Sequence, residues 1–194
     1  MAIKPILFNT EMVRAILEGR KTVTRRVIKP QPDSDYEAVK GMYRDGKGKL
    51  CAVFHSSEDI KSVYPNCDRG DILYVRETWT PVPDGSYIYK ASVECPDAWC
   101  GTWRPSIHMP REAARIFLRV TGVHVERLQE LSLKDAEREG IDPREPMFTK
   151  FVEVWNKTVQ KHPNKFKRYP YQWDENPWVW VIEFERCDRP GDWK

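Results

Sequence analysis

The chemistry-bearing residues of this chain crowd into one short stretch, Glu18-Gly19-Arg20-Lys21-Thr22-Val23-Thr24-Arg25-Arg26. It offers a lysine, three arginines and two threonine hydroxyls within nine residues. Guanidinium forks and a lysine point charge are common partners of phosphate. Positions 1–30 strengthen the signal. They hold seven basic groups (Lys4, Arg14, Arg20, Lys21, Arg25, Arg26, Lys29) against two acids (Glu11, Glu18), in a chain whose net charge is only +3. Such a cluster suits contact with a phosphate-bearing partner. It equally suits a solvated basic strand face, and charge alone leaves both readings open.

The other reactive residues are dispersed. Five cysteines, an odd number, argue against a disulfide framework in a chain with no secretion signal. Cys95 and Cys100 have the spacing of half a zinc site, but no second tight pair or His-rich partner follows. The expectation is therefore reduced thiols, no metal and no cofactor. No stretch approaches the ~20 consecutive apolar residues of a membrane helix, and the first residues lack a signal peptide's apolar run. A cytoplasmic, monomeric protein is expected. The length of 194 residues suits one domain over 1–194, with excursions at about 30–68 and 142–175.

Local patterns place the basic stretch between elements. An apolar run at 6–8 reads as a strand, and Asn9 or Thr10 can cap a helix over about 11–18. Gly19 supplies its stop, and 21–28 reads as a β-branched strand ended by Pro30. Residues 30–68 read as a long polar loop with a hairpin near 50–54. Strands are expected at 72–79 and 87–91. In 115–128, Ile116, Leu118 and Val120 alternate with Arg115 and Arg119, the mark of a half-buried strand, and Gly122 suggests a bulge or corner. Ser132 and Asp135 form a capping box for a short helix that stops at Gly140. A second helix covers about 146–161, with Phe148, Phe151, Val152, Trp155 and Val159 as its core stripe. The last strand, 178–185, buries Trp180, Ile182 and Phe184. Many strands with few helices predict an α+β, mainly β fold: a small β-barrel with peripheral helices and long insertions.

The pattern Gly19-x-Lys21-x-x-x-x-Arg26, lying after a helix and entering a strand, resembles the signature of ASCH domains in the PUA-like superfamily. The stretches Gly70-Asp71-Ile72-Leu73-Tyr74-Val75 and Leu131-Ser132-Leu133-Lys134-Asp135-Ala136-Glu137-Arg138-Glu139-Gly140-Ile141 are similar to further family segments, as is the closing strand. The stretches Val75-Arg76-Glu77-Thr78-Trp79 and 103–111 look most like phage and prophage members, whose function is generally unassigned. A smaller ASCH-type relative removes the acetyl group from N4-acetylcytidine. Carried over residue by residue, the resemblance implies Lys21, Thr24 and Glu139 as a catalytic set, with Arg26 beside them. It implies RNA or a modified nucleoside as partner.

The implied chemistry is coherent. A threonine hydroxyl attacks only when a base takes its proton, and a lysine serves once burial and neighbouring charge lower its pKa. Glu139 would orient the lysine or protonate the leaving amine, and Arg26 would bind an oxyanion or phosphate. On an ideal strand Lys21 and Thr24 point to opposite faces, so they converge only if Lys21 lies in the turn before the strand or a bulge intervenes. Binding contacts are expected from Arg20, Arg25, Arg26, Arg76, Glu77 and Trp79. Of Arg76 and Glu77, only one can face a central cleft. Trp79, Trp99, Trp103, Tyr87 and Tyr89 offer stacking surfaces for bases or, alternatively, packing. His108 has no evident partner. Three functions fit: a hydrolase of an acylated nucleoside, a non-catalytic RNA-binding module, and a metal-independent single-strand ribonuclease.

Overall fold

The computed structural model describes residues 1–32, 37–38, 41–93, 102–159, 171–191 and 193. The first unit follows its sequence signals closely. Strand β1 (Ile3–Leu7) leads into helix α1 (Thr10–Leu17), whose Asn9 cap accepts from the Met12 amide, and strand β2 (Val23–Val27) follows. Val13, Ala15 and Ile16 are the buried face of α1, while Met12 is only half-buried. Strand β7 (Ile72–Arg76) pairs parallel to β1. The long strands β10 (Phe117–Arg127) and β11 (Trp178–Cys187) pair antiparallel, and β11 also takes β2. The result is one five-stranded sheet in the order β1-β7-β10-β11-β2.

This sheet is open, which corrects the barrel expectation. A barrel needs the edge strands β1 and β2 to share a ladder. At that joint a side chain stands in, with Arg26 Nη2 donating to the Leu7 carbonyl at 2.8 Å. Gly122 does sit at a bulge, between Val120 and Gly122 in the β10–β11 register. The extra residue changes the strand's parity. Leu118 and Val120 face the main core before it, and Val123 and Val125 after it.

Both faces of the sheet are covered. On one, Val75, Leu118, Val120, Trp180, Ile182 and Phe184 pack with Phe8, Val13 and Ile16. On the other, Val23, Val179 and Val181 pack under helix α2 (Leu133–Arg138) and helix α3 (Met147–Val159). Strand β11 is thus buried on both sides, where the alternation suggested one. Phe117 too is buried, with Ile72 and Trp193 in a third cluster. In α3, Phe151 and Trp155 are buried as expected. Phe148 stays 42% exposed and leans edge-on against Trp173.

Part of the expected loop at 30–68 is a sheet. Strand β5 (Leu50–His55) pairs with β3 (Glu37–Ala38), β4 (Tyr43–Arg44) and β6 (Ile60–Val63). Ala52, Phe54 and Val63 join the main core, so this excursion packs against the central sheet. The expected strand at 72–79 is two: after β7, a separate β8 (Trp79–Pro81) pairs with β9 (Tyr87–Tyr89). No helix of the described residues is long and apolar enough to cross a membrane.

Candidate functional site

The approach of Lys21 to Glu139 begins in the backbone. Gly19 takes a φ of +78°, easy only for glycine, and the chain reverses tightly after α1. The amides of Arg20 and Lys21 both donate to the Ala15 carbonyl, at 2.9 and 3.0 Å. Lys21 therefore precedes β2 and is released from the strand's alternation. Glu139 arrives at the C-terminus of α2, a helix opened by the Ser132–Asp135 capping box. The next residue, Gly140, has φ +95°, and a Cβ there would lie 2.8 Å from Ala15 Cβ and 3.0 Å from Lys21 Cβ. Only glycine lets the two turns approach this closely. The Thr22 amide fastens them by donating to the Arg138 carbonyl at 2.9 Å.

Lys21 is 3% exposed and Glu139 6%. Lys21 Nζ donates to three oxygens: Glu139 Oε2 at 2.6 Å, the Glu139 carbonyl at 2.7 Å and the Val23 carbonyl at 2.7 Å. Three acceptors match the three protons of an ammonium. Burial pulls the Lys21 pKa below its ordinary value, Glu139 pushes it back up, and Arg26 and Arg25 depress it further. Glu139 Oε1 accepts from Arg25 Nη1 at 3.2 Å. The other edge of Arg25 grips Glu126 Oε1, with Nε at 2.7 Å and Nη2 at 2.6 Å. His124 Nε2 stands 3.6 Å from Glu126 Oε2 at the exposed end of this row of side chains.

Strand β2 divides these groups between two faces. Thr24 lies opposite Ile182 and Arg26 opposite Trp180, on the Phe8 side of the sheet. The Phe8 ring centroid is 5.5 Å from Lys21 Nζ and 5.3 Å from Arg26 Cζ. Thr24 is 4% exposed, and its hydroxyl makes no hydrogen bond among the described residues. Arg25 lies opposite Val181 on the other side, under α2. Lys21 and Glu139 meet at the strand edge, within reach of both faces.

The basic stretch is not a bare cationic surface. Arg20 bonds Glu18 and the Gly140 carbonyl, Arg25 bonds two glutamates, and Arg26 bonds the Leu7 carbonyl. The remaining candidates form a separate group. Arg76 donates to the carbonyls of Met109 and Ile107. Glu77, 1% exposed, takes Arg115 in a bidentate pair with both contacts at 2.9 Å. Trp79 is 4% exposed and packs edge-on against Tyr87, with Arg104 over its ring at 5.2 Å, so it is packing rather than a stacking platform. Trp103 lies under the Lys90 ammonium, His108 is exposed in a short turn, and Trp99, Cys95 and Cys100 lie outside the described residues. Among the described residues no cluster of three or more His, Cys, Asp or Glu is arranged to hold a metal. Cys51 and Cys67 are buried free thiols.

Two solved structures resemble this chain. An ASCH domain from Lactobacillus crispatus aligns over 95% of this chain and 79% of its own, at 12% identity and a TM-score of 0.41. A DUF984 protein from Enterococcus faecalis aligns over 98% and 83%, at 12% identity and a TM-score of 0.45. No protein-family model and no curated protein matches. At these scores ASCH kinship stays a resemblance read from the sequence motifs.

Sequence reasoning missed Glu126, Asp135 and Arg115 as partners of the candidate groups. Glu126 is 101 residues from Arg25, and the Gly122 bulge decides which face it takes. That parity change was the one available signal. A groove of about 240 Å³ lies beside the turn, lined by Met12, Arg20, Ile141, Asp142, Lys150 and Val154 among others. Lys21, Thr24 and Glu139 do not line it.

Proposed function

We propose that this protein is an ASCH-type hydrolase that removes an acyl group from a modified nucleoside, free or at the end of an RNA. The observation that carries the reading is the buried Lys21–Glu139 pair. It joins residues 118 apart at 2.6 Å, just before a strand whose Thr24 hydroxyl makes no hydrogen bond among the described residues. Structural ion pairs of this burial are costly to assemble, and perturbed groups of this kind gather at functional sites. The internal bonding of Arg20, Arg25 and Arg26 favours this reading over a basic face that grips RNA phosphates.

In this mechanism the Lys21 ammonium passes one proton to Glu139, leaving a neutral amine and a carboxylic acid. The amine gives up the Val23 carbonyl and takes the Thr24 proton as Oγ1 attacks the acyl carbon. Arg26 exchanges its Leu7 acceptor for the developing oxyanion. The tetrahedral intermediate collapses, the C–N bond breaks, and Glu139 delivers its proton to the leaving nitrogen. Water then cleaves the threonyl ester, with the same pair moving the proton.

The test is incubation with N4-acetylcytidine, following cytidine and acetate. Wild type should turn over, and Lys21→Ala, Thr24→Ala and Glu139→Ala should each abolish it. A folded wild type inert toward every acylated nucleoside overturns the reading. Chelator-resistant cleavage of labelled RNA that is lost in Lys21→Ala would transfer the site to the ribonuclease reading.

A further inference from the structure

We infer that Arg25 and Glu126 are positioning residues, a strut on the far face of the sheet that holds Glu139 in register with Lys21. The role rests on the functional reading of that pair, yet its geometry stands independently. Arg25 lies opposite Val181 and Thr24 opposite Ile182, so the two side chains leave β2 on opposite faces. A substrate lying against Thr24 cannot touch Arg25. The Arg25 side chain is 1% exposed, which also removes it from any surface that meets RNA.

The bonding explains how the strut works. A carboxylate bound by one lysine alone can rotate and swap its oxygens. Glu139 has its oxygens assigned, Oε2 to Lys21 at 2.6 Å and Oε1 to Arg25 at 3.2 Å. Arg25 in turn is oriented by Glu126, which takes Nε and Nη2 on a single oxygen at 2.7 and 2.6 Å. Asp135 Oδ2 stands 3.8 Å from Nη2 and also closes the α2 capping box. The guanidinium is thus a spacer between a carboxylate on β10 and one at the end of α2. Only a planar fork spans both, and a lysine in its place has the charge without the reach to two directions.

The decisive variant is Arg25→Lys, which keeps charge and loses the fork. Its first readout needs no turnover: the Lys21 ammonium signal in side-chain 15N NMR, assigned by its absence in Lys21→Met. In wild type this signal survives at neutral pH, because all three protons are bonded and buried. In Arg25→Lys it should vanish into exchange with water while circular dichroism reports the folded protein. The second readout is nucleoside hydrolysis, where kcat should fall by about 10²-fold, the scale of a 1 Å misplacement, with KM little changed. An Arg25→Lys protein with a wild-type Lys21 signal overturns the strut. A wild type that shows the protected signal but no turnover overturns the hydrolase and leaves the strut standing. Should Arg25→Lys fail to fold, Glu126→Gln carries the same NMR test, since it keeps an acceptor oxygen and releases the charge that orients Arg25. Its unchanged signal would equally overturn the inference.

Discussion

Glu139 and Glu77 are both buried carboxylates held by cations, and they are held in different ways. Glu77 gives both oxygens to one guanidinium, and Arg115 keeps 29% of its side chain in solvent while it lies over the Tyr89 ring at 4.0 Å. That pair is complete and anchored to water on one side. Glu139 instead divides its oxygens between two cations, Lys21 and Arg25, each with only 1% of its side chain exposed. The cations that hold it are more fully desolvated than Arg115, and its bonding is more constrained. A buried pair with no wet partner contributes little or nothing over apolar packing, so stability alone is a weak reason for the Glu139 arrangement. The difference is the ground for proposing function at Glu139 and a structural brace at Glu77.

Breaking each pair separates them. Glu139→Ala leaves the Lys21 ammonium facing two carbonyls with no counter-charge, and the loss should be about 3–5 kcal/mol by urea unfolding. Glu77→Gln frees Arg115 into solvent, so only charged hydrogen bonds are lost, roughly 1.5–3 kcal/mol. Equal losses would erase the distinction. The pH dependence sharpens it. Folding lowers the Lys21 pKa, chiefly by burial, below its ordinary 10.5. Between the two values the unfolded chain holds the extra proton, so this group's contribution to stability rises with pH and levels off above 10.5. The stability of wild type minus that of Lys21→Met should therefore climb through the alkaline range. An ordinary exposed lysine pair would decline there, and a falling difference would contradict the burial argument.

What the sequence made legible was local. The Asn9 cap, the stop at Gly19, the Ser132–Asp135 box and the Gly122 bulge all rest on one to four neighbouring residues, and each is where its pattern put it. The placement of Lys21 before the strand was one of two options the side-chain period left, and the Gly19 turn selects it. Non-local pairing was not legible. Counting charge over 1–30 suggested an open basic patch, because Glu126 and Glu139, which take up Arg25, are 101 and 114 residues away. The Lys21–Glu139 contact followed from family resemblance rather than from spacing. Residues 30–68 read as a loop because their strands are two to six residues long, and so short a run carries little alternation. The barrel expectation failed at a single joint, where Arg26 bonds the Leu7 carbonyl in place of a ladder.

The gentlest way to probe the comparison is to loosen α2 without touching a charge. Ser132 Oγ accepts from the Asp135 amide at 3.1 Å, and Asp135 Oδ2 accepts from the Ser132 amide at 3.2 Å and the Ser132 hydroxyl at 2.6 Å. Ser132→Ala removes two of these three bonds, at a cost of about 0.5–2 kcal/mol for a lost cap. Helix α2 has six residues, so fraying at its start reaches its end, where Glu139 sits. Hydrogen exchange should therefore quicken at the Ala136 and Glu139 amides, which donate to the Ser132 and Asp135 carbonyls. The Val75 amide, bonded to the Ile116 carbonyl beside the Glu77 group, should keep its wild-type rate. Faster exchange at both places would mean that the two carboxylates belong to one cooperative unit. Faster exchange at α2 alone makes Glu139 the carboxylate on the more easily loosened element.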